Sequence, residues 1–335
     1  MTAKTNLSCL ALTAAGVLLS APIAAQTRTN IQIAGSSTVL PFASIVAEEF
    51  GQFFPEFDTP VVGSGGSSGG MRQFCQGVGP NTIDIANSSR PMKASEIEAC
   101  AAAGVNDIRE IRIGYDGIVF ASDLSGPEFA FEPRHIYAAI GANQPEGTAL
   151  PTLWNEIDPA LPAQRILMAI PASNHGTREV FEEKVLEAGC EAVMGHELDD
   201  DGCLALRQDN VIEIAGDYTE TLARLNSDTD TVGVFGLSFY EQNTDTLRVA
   251  TMDGVTPSLE TVASGEYPVS RPLFFYVKGE HIGVIPGIEE YTEFFLSDMM
   301  AGMGGRLEVA GLIPAPSEET AEVLANFQNG VTVGQ

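Results

Sequence analysis

Short apolar runs alternate with amphipathic stretches along most of the chain. Residues 31–34, 59–62, 83–87, 108–113, 118–121, 165–170, 231–235 and 271–277 read as strands. Runs such as Ile118-Val119-Phe120-Ala121 and Leu273-Phe274-Phe275-Tyr276-Val277 are unbroken, the pattern of strands covered on both faces. Between the strands, apolar residues recur at helical spacing. Ile45, Val46, Phe50, Phe53 and Phe54 form one such face, Met71, Phe74 and Cys75 a second, and Val180, Phe181 and Val185 a third. Residues 133–140, 218–225 and 288–300 read as further helices, and Ser95 with Glu98 has the spacing of a capping box opening a helix over 95–103. This alternation predicts an α/β protein with mostly parallel sheets. The continuous run at 271–277 is expected to pair with 118–121, the Tyr115-Asp116-Gly117 stretch to form a turn, and 307–312 to close the fold.

Three junctions between a predicted strand and a predicted helix share one design. They are Gly35-Ser36-Ser37-Thr38-Val39-Leu40-Pro41, the glycine-serine stretch from Gly63 to Gly70 with Arg72 after it, and Ser173-Asn174-His175-Gly176-Thr177-Arg178. Glycine lets the backbone approach a ligand and take positive φ. A helix start offers unpaired N–H groups and a partial positive charge. Hydroxyls and a nearby arginine complete what is needed to grip a small oxyanion. Thr38 reads as an N-cap, with Pro41 in the first turn. A flexible linker is the bland alternative for the glycine-serine stretch, but linkers seldom lie between a buried strand and an apolar helical face.

Length and composition add limits. At 335 residues and 44% hydrophobic content, the chain is long enough for two packed domains. Residues 1–25 read as a signal peptide: Lys4, an apolar run over 7–19, then Ala21-Pro22-Ile23-Ala24-Ala25 with cleavage after Ala25. Without Cys9, the cysteines are Cys75, Cys100, Cys190 and Cys203. An even number in an exported chain, with no CxxC spacing, points to disulfides rather than a metal site, and the local pairings Cys75–Cys100 and Cys190–Cys203 are expected. The segment 187–208 reads as a surface excursion. The net charge of −28 argues against nucleic acid or an anionic membrane as partner. It does not exclude a buried anion site, because distant charges are screened within about 10 Å at 0.1 M salt.

Five motifs, in this order, resemble the phosphate-binding proteins of bacterial ABC transporters, the PstS family. They are Gly35 to Pro41, Gly66-Ser67-Ser68-Gly69-Gly70, Asp84-Ile85-Ala86-Asn87-Ser88-Ser89-Arg90, Tyr115-Asp116-Gly117-Ile118 and His175-Gly176-Thr177-Arg178; residues 271–278 also resemble that family's late strand. The resemblance implies a two-lobed periplasmic binding protein of type II. Its mixed, mostly parallel sheets would be joined by two crossing strands, placed near 118–121 and 273–277, with the ligand in the interlobe cleft. Lobe 1 would comprise 26–117 plus 278–335, and lobe 2 residues 118–277. Ser37, Thr38, Ser67, Gly176 and Thr177 would bind phosphate oxygens, with Ser68 a neighbour. Two departures stand out. Ser89 occupies the position where known members carry an aspartate that accepts the ligand's proton. Pro171 stands where the family has an arginine, and His175 where it has a serine. Arg90 and Arg178 are then the expected guanidiniums, and Asp116 the candidate replacement acceptor, with pairing to Arg90 as its structural alternative.

The implied partners are inorganic phosphate, membrane permease subunits and, through them, an ATPase. A periplasmic monomer with no cofactor or metal is expected. Two other readings remain open: a carrier of sulfate or molybdate, and a serine hydrolase. The latter would use Ser68 in a G-x-S-x-G elbow with His175 or His196 and Asp84 or Asp116, although no HGGG-type oxyanion stretch accompanies it.

Overall fold

The computed structural model describes residues 28–173, 176–195, 198, 200–216 and 218–334; the expected signal peptide and Cys9 lie outside them. In chain order the strands are β1 (Gln32–Gly35), β2 (Val61–Ser64), β3 (Ile85–Ser88), β4 (Ile108–Asp123), β5 (Ala130–Phe131), β6 (Met168–Pro171), β7 (Val211–Ile214), β8 (Val232–Gly236), β9 (Leu247–Val249), β10 (Thr251–Met252) and β11 (Ser270–Lys278). The helices that bear on the site are α1 (Leu40–Phe53), α2 (Ser67–Phe74), α3 (Ala94–Ala102), α4 (Pro133–Ile140) and α5 (Gly176–Phe181).

Nine strands form one mixed sheet in the order β2-β1-β3-β11-β4-β8-β6-β7, with β9 also on β4. The sheet has two halves that share β4. In the first half β2, β1 and β3 are parallel, while β11 runs antiparallel to both β3 and β4. In the second, β8, β6 and β7 are parallel and β8 and β9 are antiparallel to β4. The α/β expectation is met, and the antiparallel pairs gather on the strands that link the halves.

Strand β4 explains the largest departure from the sequence reading. The expected turn at Tyr115-Asp116-Gly117 is instead the middle of a single 16-residue strand. Residues 108–117 of it face β11, and 118–121 face β8. The run at 273–277 therefore pairs with 109–114 and with β3, and lies wholly in the first half. The second passage between halves is farther upstream, where Val269 belongs to the second core and Leu273 to the first.

Alternation along β11 shows how the first half buries both faces. Leu273, Phe275 and Val277 pack with α1 residues such as Val46 and Phe50, whereas Phe274 and Tyr276 pack with Met71 and Phe74 of α2 and Cys100 of α3. The second half has its own core around Phe120, Trp154, Phe181 and Phe235. Both expected disulfides form: Cys75–Cys100 ties the end of α2 to α3, and Cys190–Cys203 closes the excursion at 187–208. That excursion is less superficial than expected, since Cys190 and Cys203 are buried against Tyr137 of α4.

Helix starts also differ in detail. Helix α1 begins at Leu40 with Val39 as N-cap and proline in its first turn, and Thr38 makes no cap. Helix α3 begins before Ser95, and the Glu96 carboxylate, rather than Glu98, accepts the Lys93 N–H at 2.9 Å.

Candidate anion site

The first two serine-rich corners lie side by side because glycines let them. A Cβ on Gly70 would come within 2.6 Å of the Gly35 Cα, so α2 rests directly on the end of β1. Gly66, with φ of 69°, turns the chain out of β2 into α2. This places Ser67 at the first turn of α2, where its hydroxyl lies 3.1 Å from that of Ser89 and accepts the Ser89 N–H at 3.1 Å. Ser67, Ser89 and Thr38 are all buried.

Opposite them, α5 starts the helical segment of the third corner and projects Glu179 across the cleft. Glu179 Oε2 accepts from Thr38 Oγ1 at 2.6 Å and from Ser37 Oγ at 3.2 Å, and Ser89 Oγ lies 3.5 Å from Oε1. Arg271 of β11 stands behind this contact. Its Nη2 donates to Thr38 Oγ1 at 2.9 Å and lies 3.5 Å from Glu179 Oε2, and its Nη1 donates to Glu183 at 3.0 Å. A cavity of about 340 Å³ opens here, lined by Gly65 to Gly69, Arg72, Ser89, Arg90, Glu179, Glu183 and Arg271. A second space of about 310 Å³ adjoins Thr38 on the other side and is lined in part by Asp116, Thr177, Tyr218 and Phe239.

The register of β4 and β11 sets Asp116 directly opposite Arg271. Their Oδ2 and Nε lie 3.6 Å apart, and among the described residues neither atom has a hydrogen-bond partner. Burial pushes the Asp116 carboxyl above the usual carboxylate range; Arg271 works against this rise and Glu179 adds to it. Burial likewise raises the Tyr218 phenol, and the neighbouring Thr177 hydroxyl works against the rise. Arg271 is thus one cation among three carboxylates, those of Asp116, Glu179 and Glu183.

The expected site residues divide clearly. Ser37, Thr38, Ser67 and Ser89 converge, and Thr177 is on the same cleft. Gly176 begins α5. Ser68 Oγ accepts from Arg90 Nη2 at 2.9 Å, at the cavity's rim. Arg90 is held by a two-pronged contact to Glu96 at 2.8 and 2.9 Å rather than by Asp116. Arg178 faces the other way: it is buried, and its nitrogens serve Glu182, Glu213 and the Pro171 carbonyl. The guanidinium that takes the central place is Arg271, which the sequence pattern marks as the start of an apolar strand and not as a site residue. His175 and His196 lie outside the described residues. Asp84, proposed for a hydrolase, is tied up elsewhere: burial raises its carboxyl, but contacts from His281, Arg28 and the Gln32 N–H outweigh that and hold it low.

Hydroxyls from both early corners, a guanidinium from the linking strand and a carboxylate from the opposite half thus meet at one point. Such a set suits a compact, multiply charged oxygen ligand. A family model described as a PBP superfamily domain matches residues 20–299. Protein SphX of Synechococcus elongatus is 30% identical, covering 91% of this chain and 83% of its own length. The phosphate-binding protein PstS of Staphylococcus saprophyticus is 26% identical, covering 86% and 81%. The crystal structure of a possible phosphate binding protein from Planctomyces limnophilus superposes with a TM-score of 0.70 at 22% identity, covering 90% of this chain and 99% of that one. PstS from Borrelia burgdorferi gives a TM-score of 0.62 at 17% identity, over 87% of this chain and 100% of that one. The chain belongs to the PBP superfamily, with PstS phosphate-binding proteins among its relatives.

Proposed function

We propose that the protein is a high-affinity receptor for inorganic phosphate, working in the periplasm and delivering its ligand to the permease subunits of an ABC transporter powered by an ATPase. One observation carries this reading. The hydroxyls of Ser37, Thr38 and Ser89 and the Arg271 guanidinium already surround an oxyanion, the Glu179 carboxylate, contributed by the protein itself. Phosphate would take those donors, joined by Ser67 and by Gly176 and Thr177 at the start of α5, with Ser68 and Arg90 at the rim.

The linking strands β4 and β11 serve as the hinge, with the lobes dividing near Gly117 and Ser270, and the monomer is the delivering form. Micromolar affinity requires about 8 kcal/mol. Charge-assisted hydrogen bonds contribute roughly 1.5–3 kcal/mol each, so the available donors suffice after desolvation and closure. The relatives named phosphate-binding proteins support a carrier over a hydrolase, as does the Ser68 hydroxyl, which accepts from Arg90.

Calorimetric titration of the chain lacking residues 1–25 tests the proposal. One-to-one binding of phosphate with a dissociation constant of about 1 µM or tighter is expected. Absence of phosphate binding, with the protein folded by circular dichroism, refutes it.

A further inference from the structure

We propose that Glu179 determines the specificity of the anion site: its carboxylate accepts the hydrogen bond from the proton that phosphate carries and sulfate lacks. The inference rests on the phosphate reading above and deepens it.

Glu179 spans the cleft from α5 to the opposite corners, and its two oxygens stand on Ser37, Thr38 and Ser89, with Arg271 behind them. An arriving anion needs the same donors. The Glu179 side chain is 42% exposed and can rotate off them, but its attachment to α5 keeps it beside the seat. It then faces the ligand oxygen to oxygen. Two unprotonated oxyanions in that contact repel, and like charges juxtaposed in this way cost several kcal/mol. The contact becomes favourable when the ligand donates an O–H to the carboxylate. Hydrogen phosphate has that O–H; sulfate does not.

The other candidate readers are less well placed. Ser89 stands at the position of the family's aspartate, yet a hydroxyl both donates and accepts and so cannot reject a fully ionised anion. It is also engaged with the Ser67 hydroxyl at 3.1 Å. Asp116 is buried, faces Arg271 across the β4–β11 ladder, and lines the space beyond Thr38 rather than the cavity of Ser67, Ser89 and Arg90. Glu182, three residues along from Glu179, instead holds Arg178 on the side away from the cleft, which makes it the natural control.

The test compares wild type, Glu179→Gln and Glu182→Gln by calorimetry at mildly alkaline pH. Phosphate, sulfate and fluorophosphate are the probes; fluorophosphate copies the shape and charge of hydrogen phosphate without its proton. Wild type is expected to prefer phosphate over both others by about 100-fold or more. In Glu179→Gln that preference should fall to about tenfold or less, through weaker phosphate binding together with new sulfate and fluorophosphate binding. Glu182→Gln should keep the wild-type preference. Glu179→Ala carries the same expectation as Glu179→Gln should the amide fail to fold. Equal tightening of all three anions in Glu179→Gln would make the carboxylate a mere plug and overturn the inference, as would an unchanged preference. Wild type that binds phosphate and sulfate alike overturns this inference alone; wild type that binds no phosphate overturns the phosphate reading as well.

Discussion

Replacing Arg271 by lysine separates the geometry of the central cation from its charge. The Arg271 nitrogens point three ways: Nη2 to Thr38 at 2.9 Å, Nη1 to Glu183 at 3.0 Å, and Nε toward Asp116 at 3.6 Å. Once an anion displaces Glu179, Nη2 can turn its second proton to it, and so can Nε, which makes no hydrogen bond among the described residues. A lysine keeps the positive charge but concentrates it on one nitrogen, which cannot serve two lobes and a ligand together. Loss of one charge-assisted hydrogen bond costs about 1.5–3 kcal/mol, so Arg271→Lys should weaken phosphate binding about 10- to 150-fold. Arg271→Met is a poorer probe. It leaves Asp116, Glu179 and Glu183 without their shared cation, and an uncompensated buried charge costs about 3–5 kcal/mol in stability. Calorimetry with phosphate gives the affinity, and a thermal melt without ligand shows that the lysine variant remains folded. Binding within about threefold of wild type would refute the argument. It would do so most directly if Arg90→Lys, at the Ser68 rim, lost more than about tenfold instead.

Two further expectations concern stability. Burial pushes the Lys278 ammonium down to about 8 from its ordinary value of 10.5, with Asp84 opposing the shift, while its Nζ donates to the Gly77 carbonyl and Thr82. Between those two pH values the unfolded chain binds the proton that the folded chain has released, so stability relative to Lys278→Met should rise with pH by up to about 3 kcal/mol; a difference that stays flat across that window in denaturant titrations would contradict it. The disulfides close loops with sequence separations of 25 and 13. By chain entropy, replacing either pair with serines should cost about 3–3.5 kcal/mol, slightly more for Cys75–Cys100; a loss below about 1 kcal/mol for both pairs would count against this account.

Much of the fold is legible because its signals are local. Unbroken apolar runs mark strands covered on both faces, and β11 meets that description on both sides. What local pattern could not convey is the length of β4. Tyr115-Asp116-Gly117 has turn-forming residues and a charge, yet it is the stretch where one strand passes from one half of the sheet to the other. The charge is tolerated because β11 sets Arg271 opposite it. Only the register of a strand more than 150 residues away supplies that partner, and register is a long-range property. The same fact moved the partner of 271–277 from 118–121 to 109–116.

The site was half legible for a related reason. Serines and glycines at strand–helix corners announce an anion grip from composition alone, and Ser37, Thr38, Ser67 and Ser89 do converge. Arginines carry no such local mark, so their direction has to come from helical phase. Phase was available for Arg178. It lies three residues before Phe181 and seven before Val185, both core residues, and so on the buried side of its helix. Its four-residue partner Glu182 confirms that direction, with Nε to Oε1 at 2.6 Å. Glu179 and Glu183, also four residues apart, occupy the other face and reach Arg271. Helical phase therefore assigns the inward arginine to structure and the paired glutamates to the cleft. A cleft that sets more carboxylates than guanidiniums around its donors favours a ligand that brings its own proton.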